Sequence, residues 1–128
     1  MSPSLSGARA AKRTSEIDMK LPNGHRAIVP DEKLLDYLLN ERHETQPGHA
    51  ELFRRLLAIG QENAGELRSA LLHAAATMEA TPGSPSPHGT KYEVRFEMTG
   101  PARTCTILSV WIIAHGKDEP RLVTAFIE

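Results

Sequence analysis

Basic and hydroxyl side chains recur along three segments whose alternation of apolar and polar residues predicts β-strands. The cations are Lys91, Arg95, Arg103 and Arg121, and threonines such as Thr124 lie among them. Antiparallel pairing can bring such residues onto one face or one edge of a sheet. There they would hold a phosphodiester and stabilise the charge that develops when a ribose 2′-hydroxyl attacks it. The same pattern also fits an ordinary solvated face, since Glu93 and Glu97 alternate with these cations.

Histidines are the other residues suited to this chemistry, because imidazole gains and loses protons near neutral pH. His43 and His49 flank a Pro–Gly link, a spacing that matches no metal-binding motif. The sequence contains neither a phosphate-binding glycine loop nor an H-E-x-x-H motif, so we predict no metal and no cofactor. The single cysteine, Cys105, lies mid-strand and is interpreted as a buried structural thiol rather than a nucleophile.

Composition limits the classes of protein that these residues can belong to. The chain has 128 residues, which fits one domain, and 40% of them are hydrophobic. Its 15 Lys and Arg against 16 Asp and Glu give a formal net charge of −1, so a polyanion site must be local. No apolar run is long enough to cross a membrane. One cysteine permits no internal disulfide, which favours a reducing cytoplasm.

The first half of the chain predicts helices. Residues 1–17 are polar and are expected to form a flexible leader, which leaves a single domain over residues 18–128. Apolar residues at helical spacing predict helices over about residues 31–40, 49–59 and 64–78. Gly60 is expected to end the second helix in the left-handed conformation. Asn63 and Glu66 have the spacing of a capping box for the third.

The second half predicts strands. Residues 80–89 contain three prolines and two glycines, a composition expected to form a loop without paired strand. Alternation then predicts strands over about residues 91–98, 103–113 and 121–127, the middle one central in the sheet and carrying a buried Trp111. We therefore expect an α+β fold, with about three N-terminal helices packed on a C-terminal antiparallel meander of three to four strands.

Several short motifs resemble an uncharacterised bacterial family of toxin-like domains. In the first half they are L-P-N at 21–23, a K-L-x-x-Y-L-L pattern at 33–39, and His43 followed by G-H-A-E-L-F at 48–53. In the second half they are G-T-K-Y at 89–92, T-G-P at 99–101 and P-R-L-V-T-A at 120–125. The resemblance covers residues 19–128. Its helix-and-meander plan is similar to that of the barnase, colicin D and RelE-like ribonucleases.

That resemblance implies a cytoplasmic toxin of a bacterial toxin–antitoxin or polymorphic toxin system, a metal-independent ribonuclease that acts on RNA and is neutralised by a cognate antitoxin. The residues then expected to move protons are His43, His49 and Lys91. Arg95, Arg103 and Arg121 are expected on the phosphate, with Thr124 orienting it. The alternative hypothesis is a non-enzymatic interaction module that binds a partner protein through an exposed sheet edge. The sequence does not indicate an oligomeric state.

Overall fold

A computed structural model describes residues 20–40 and 49–128, apart from positions 85 and 102. Its helical elements are the 3-10 helix Gly24–Arg26, the π-helix Lys33–Leu38, α1 His49–Leu57, the 3-10 helix Gln61–Asn63 and α2 Ala64–Thr77. Its strands are β1 Ala80–Pro82, β2 Gly89–Thr99, β3 Thr104–Ala114 and β4 Arg121–Ile127. The predicted leader and the predicted site residue His43 lie outside the described residues.

The first predicted helix forms chiefly as a π-helix. The Leu39 amide donates to the carbonyl of Leu34, five residues earlier, at 3.1 Å. Leu34 and Leu38 are fully buried, and the Leu34 amide donates to the Pro30 carbonyl at 3.1 Å. The leucines therefore face the core as their spacing predicts, although the turn is wider than in an α-helix.

The four strands form one antiparallel sheet in the order β1-β2-β3-β4, with β3 in the interior as predicted. Successive residues of a strand point to opposite faces. The inner face bears Val94, Ile107 and Trp111, which are fully buried in one core with Leu67 and Leu71 of α2. The other face, here called the outer face, bears the predicted cations of β2 and β4. The fold is therefore α+β, with α2 packed on the inner face of a C-terminal antiparallel sheet and the start of α1 in contact with Phe126 of β4.

A short chain of hydrogen bonds fixes Trp111 within this core. Its Nε1 donates to the Ser109 hydroxyl at 2.9 Å, and that hydroxyl donates to the Val94 carbonyl at 2.7 Å. All three residues are fully buried. The indole thus contributes a large apolar surface while its one polar group stays satisfied. The prediction of a buried Trp111 on the central strand is confirmed.

The Pro- and Gly-rich segment at residues 80–89 differs from its prediction, because it supplies β1. Thr81 pairs with Glu93 and Pro82 with Tyr92. A proline is tolerated here because β1 lies at the edge of the sheet, where one side of the strand needs no partner. Ala80 is buried in the core, and this burial outweighs a composition that disfavours a strand.

The end of α1 also differs from its prediction. Ala58, not Gly60, adopts the left-handed conformation, with φ 58°, while Gly60 is extended at φ −137° and ψ −167°. The reversal is held by the Ile59 amide, which donates to the Phe53 carbonyl at 3.1 Å. The Asn63 side chain accepts from the Gly60 amide and donates to the Ala58 carbonyl, each at 2.8 Å. Asn63 therefore closes this turn and does not cap α2 as the capping-box prediction required.

Candidate functional site

The strand register places four polar residues in two neighbouring rows of the outer face. Lys91 of β2 and Arg121 of β4 both pair with Ile112 of β3, so the three form one row across the sheet. Glu93 and Thr124 both pair with Val110 and form the next row. The Cα atoms of Lys91 and Arg121 are thus about 10 Å apart, two inter-strand spacings, and the rows are about 7 Å apart.

A β-bulge is responsible for the position of Thr124. The register shifts between Val110 and Trp111, so that Val123 is an extra residue opposite β3. Without it, Val123 would lie opposite Val110 and Thr124 would point into the core. The bulge therefore puts the Thr124 hydroxyl on the same face as Lys91 and Arg121.

Two turns lie at the same end of the sheet as Lys91 and Arg121. One precedes β2, and the other joins β3 to β4 at residues 115–120. The His115 amide donates to the His88 carbonyl at 3.1 Å, which holds the two turns together. The Lys117 amide donates to the Ala114 carbonyl at 2.9 Å across Gly116, whose φ of 80° suits a residue without Cβ. These turns bring His115 near Lys91 and Lys117 near Arg121, since the two residues of each pair line the same cavity.

Two shallow cavities flank the end of β3. The first, of about 440 Å³, is lined by Ile28, Ile112, Ala114, Lys117, Glu119 and Arg121. The second, of about 350 Å³, includes Lys91 and His115 in its lining. We call the group Lys91, Glu93, His115, Lys117, Arg121 and Thr124 the sheet-end site.

The cations of the sheet-end site have few oppositely charged partners in the structure. Lys91, Lys117 and Arg121 form no ion pair with any other described residue. The nearby Glu119 faces the Arg26 guanidinium at 3.5 Å. A hydrogen bond from its own backbone amide lowers the pKa of Glu119, and the charges of Arg26 and then of Lys117 lower it further. Glu119 is thus ionised and acts on Lys117 as well as on Arg26, and the positive charge left for an anion is chiefly that of Lys91 and Arg121.

Arg95 lies one row beyond Glu93 and is already bound by carboxylates. Its Nε and Nη2 contact the two Glu128 carboxylate oxygens at 3.0 and 3.2 Å, and Nη1 lies 3.7 Å from Glu93. The hydrogen bonds with Glu128 are the main reason that the pKa of Arg95 is raised. A phosphate would have to compete with these carboxylates at Arg95.

The other predicted site residues lie away from Arg121. Arg103 is exposed in the turn between β2 and β3, at the opposite end of the sheet, about 30 Å from Ile112 along the strand direction. His49 begins α1, with its ring centroid 5.6 Å from that of Phe126 near the end of β4. Its Nδ1 is buried without a hydrogen-bond partner among the described residues. Of the predicted residues in the described chain, the structure brings together Lys91, Arg121 and Thr124.

Sequence reasoning passed over Glu93, His115 and Lys117. Glu93 enters the sequence-based interpretation only as a neutralising charge, and His115 and Lys117 do not enter it. A usable signal was present, since antiparallel strands that meet at their ends bring the preceding and connecting turns together. Among the described residues, no three His, Cys, Asp or Glu side chains form a group suited to a metal ion.

These features define an α+β domain with a cationic site at one end of an open sheet face. The model for the domain of unknown function DUF6883 matches residues 20–128, and the chain belongs to that family. No curated protein and no solved structure matches it. No helix in the described part of the chain is both long and apolar enough to span a membrane.

Proposed function

We propose that this domain is a metal-independent ribonuclease that acts as a toxin in the cytoplasm and is neutralised by a cognate antitoxin. The observation that carries the nuclease proposal is the row formed by Lys91, Ile112 and Arg121. This row sets two cations on either side of an apolar floor, next to a row with a carboxylate and a hydroxyl. A phosphodiester with its ribose fits that arrangement of charge and apolar surface.

Phosphate binding is assigned to the cations of the sheet-end site. Arg121 offers a planar set of N–H donors that matches phosphate oxygens, and Lys91 and Lys117 add point charges. Ile112 is half-buried between Lys91 and Arg121, Val110 is half-buried in the next row, and both give the ribose or base an apolar contact. Thr124 orients one phosphate oxygen. As attack proceeds, negative charge grows on the phosphate, and the cations stabilise the transition state more than the substrate.

Proton transfer is assigned to Glu93 and His115. The Glu93 carboxylate takes the proton of the ribose 2′-hydroxyl as its oxygen forms a bond to phosphorus. The imidazolium of His115 gives a proton to the 5′-oxygen as the bond from that oxygen to phosphorus breaks. The products are a 2′,3′-cyclic phosphate and a new 5′-hydroxyl end. Glu93 thus takes the role first expected of a histidine, since His49 lies elsewhere and His43 is outside the described residues.

The toxin part of the proposal depends on the sequence motifs shared with toxin-like domains, over residues 19–128. The single Cys105 is buried and unpaired, which agrees with action in a reducing compartment. A ribonuclease acting on cellular RNA would arrest growth unless a partner blocked the sheet-end site. The antitoxin is therefore expected to present carboxylates to Lys91, Lys117 and Arg121.

The test compares two arginines that differ in position. Purified protein is incubated with a fluorescently labelled RNA oligonucleotide in EDTA, and the ends of the products are identified by mass spectrometry. We expect cleavage with a cyclic phosphate, and Arg121→Ala should lower kcat/KM about a hundredfold. Arg103→Ala, exposed at the opposite end of the sheet, should leave it unchanged. Equal loss in both variants, or no cleavage by the parent protein, would refute the assignment.

A second test addresses toxicity. Induced expression of the parent chain in bacteria is expected to stop growth, and Arg121→Ala to restore it at equal protein level. Growth arrest that persists in Arg121→Ala would separate toxicity from the sheet-end site.

A further inference from the structure

The far half of β2 has an unpaired edge. β1 pairs with β2 only from Tyr92 to Val94, whereas β2 continues to Thr99. No described strand pairs with residues 95–99 on that side. The Gly83 amide donates to the Lys91 carbonyl at 2.9 Å, so the peptide groups of odd-numbered residues in β2 point towards this edge. The amide and carbonyl of Glu97 are therefore directed to a position that a further strand can occupy.

A groove runs beside this edge, between β2 and the C-terminal half of α2. It has a volume of about 560 Å³ and is lined by Ala70, His73, Ala74, Met78, Arg95, Phe96, Glu97 and Thr106. Ala70 and Ala74 lie one helical turn apart, so α2 has only small side chains at this position. Met78 is 39% exposed at the wall, and its flexible thioether adapts to varied neighbours. The groove thus offers apolar space beside Ala70, Ala74 and Phe96, and its polar lining residues Arg95, Glu97 and Thr106 belong to the outer face.

Charge differs along the outer-face side of the edge. Arg95 is neutralised by Glu128 and Glu93. Glu97, two residues on, forms no ion pair with another described residue. A residue directly opposite Glu97 on an added strand would share its face, and a cation is the favoured partner there.

We propose that an extended segment of a partner protein binds here as an additional strand of the sheet. Its backbone pairs with Glu97, a lysine or arginine lies opposite the Glu97 carboxylate, and apolar residues on either side of that cation enter the groove against Ala70 and Phe96. This recognition goes beyond the proposed nuclease activity. Glu97 lies about 20 Å along β2 from Lys91, so the two sites can be occupied together.

The probe is a capped heptapeptide in which valine alternates with lysine, titrated into the ¹⁵N-labelled full chain. In ¹H–¹⁵N NMR spectra, saturable chemical-shift changes are expected at residues 95–99 and along the groove face of α2. The Kd of the peptide should be below about 1 mM. A peptide methylated at the backbone nitrogens that would face β2 should bind at least about tenfold more weakly, because those nitrogens no longer donate. Equal binding by the methylated peptide would overturn strand addition.

Charge reversal tests the assigned partner chemistry. Glu97→Lys should lower the affinity for the valine–lysine peptide and raise that for a valine–glutamate peptide, each by about three- to tenfold. Ala70→Leu, which fills the groove, should lower the affinity for both peptides. Arg121→Ala should bind as the parent protein does, whatever its effect on RNA. Absence of saturable shifts at residues 95–99 up to about 1 mM peptide, or an unchanged preference in Glu97→Lys, would overturn the proposal.

Discussion

The inner and outer faces of the sheet differ in what holds their residues in place. On the inner face, Trp111 and Val94 are fully buried and are fixed by packing and by the Ser109 hydroxyl. On the outer face, Lys91 and Arg121 owe their proximity to strand register alone, and neither forms an ion pair with a described residue. The buried packing and the site of the proposed chemistry therefore lie on opposite sides of the same three strands.

The largest expected effect is on the inner face. Trp111→Ala removes a fully buried aromatic side chain and should cost about 3–5 kcal/mol of unfolding free energy, a large part of what such a domain has. Chemical denaturation monitored by circular dichroism measures it. A well-folded Trp111→Ala protein with nearly parental stability would show that the inner face is not the source of stability.

The next effect is on the outer face and concerns activity alone. Glu93→Gln removes the proposed base and should lower cleavage of the RNA oligonucleotide about a hundredfold, while the melting temperature stays within a few degrees. Glu32→Gln, an exposed carboxylate outside the sheet, is the matched control and should retain full activity. A large loss of stability in Glu93→Gln would mean that the two faces are not separate.

A smaller effect sharpens the inner-face side of the comparison. Ser109→Ala leaves both the Trp111 indole N–H and the Val94 carbonyl without the Ser109 hydroxyl, at a cost of about 1–3 kcal/mol. Trp111→Phe removes the indole donor, and a double-mutant cycle isolates the coupling between the two side chains. Additive effects would indicate that the hydroxyl acts only through Val94.

The smallest effect belongs to the outer-face ion pair of Arg95 and Glu128. Glu128→Gln should change the unfolding free energy by less than about 0.5 kcal/mol, since Arg95 is half exposed and solvent screens the pair. Denaturation at low and high salt measures this. A change above about 1 kcal/mol would show that the outer face also contributes to stability.

Alternation within single segments was enough to predict the α+β class and the two faces. Lys91 and Glu93 alternate with Tyr92 and Val94, so the strand itself separates polar from apolar positions. The burial of Trp111 follows from a β3 segment that is apolar on both faces. Each of these inferences depends on neighbours within one strand.

The composition of the sheet-end site depends on register, which single segments do not encode. That Lys91 and Arg121 share a row, while Arg103 is separated from them, follows from how three strands align. The same limit explains why two predictions were wrong: the left-handed end of α1 at Gly60, and the loop without paired strand at residues 80–89. Burial of Ile59 and Ala80 in the core decides those backbones, and local composition gave no sign of it.

At the Val123 bulge, the alternation of inward-facing and outward-facing residues along β4 shifts its phase by one residue. Before it, even-numbered residues such as Leu122 face the core, and after it Thr124 and Phe126 face outward while Ala125 turns inward. Substituting Val123 leaves that phase intact, and deleting it would give a regular strand in which Thr124 still lies opposite Val110, because Leu122 and Thr124 already pair with neighbouring residues of β3. A one-residue difference in length at this point would therefore remove the bulge and leave core and surface unchanged for the rest of the strand. Sequence comparisons within the family should count spacing here before they compare residue types.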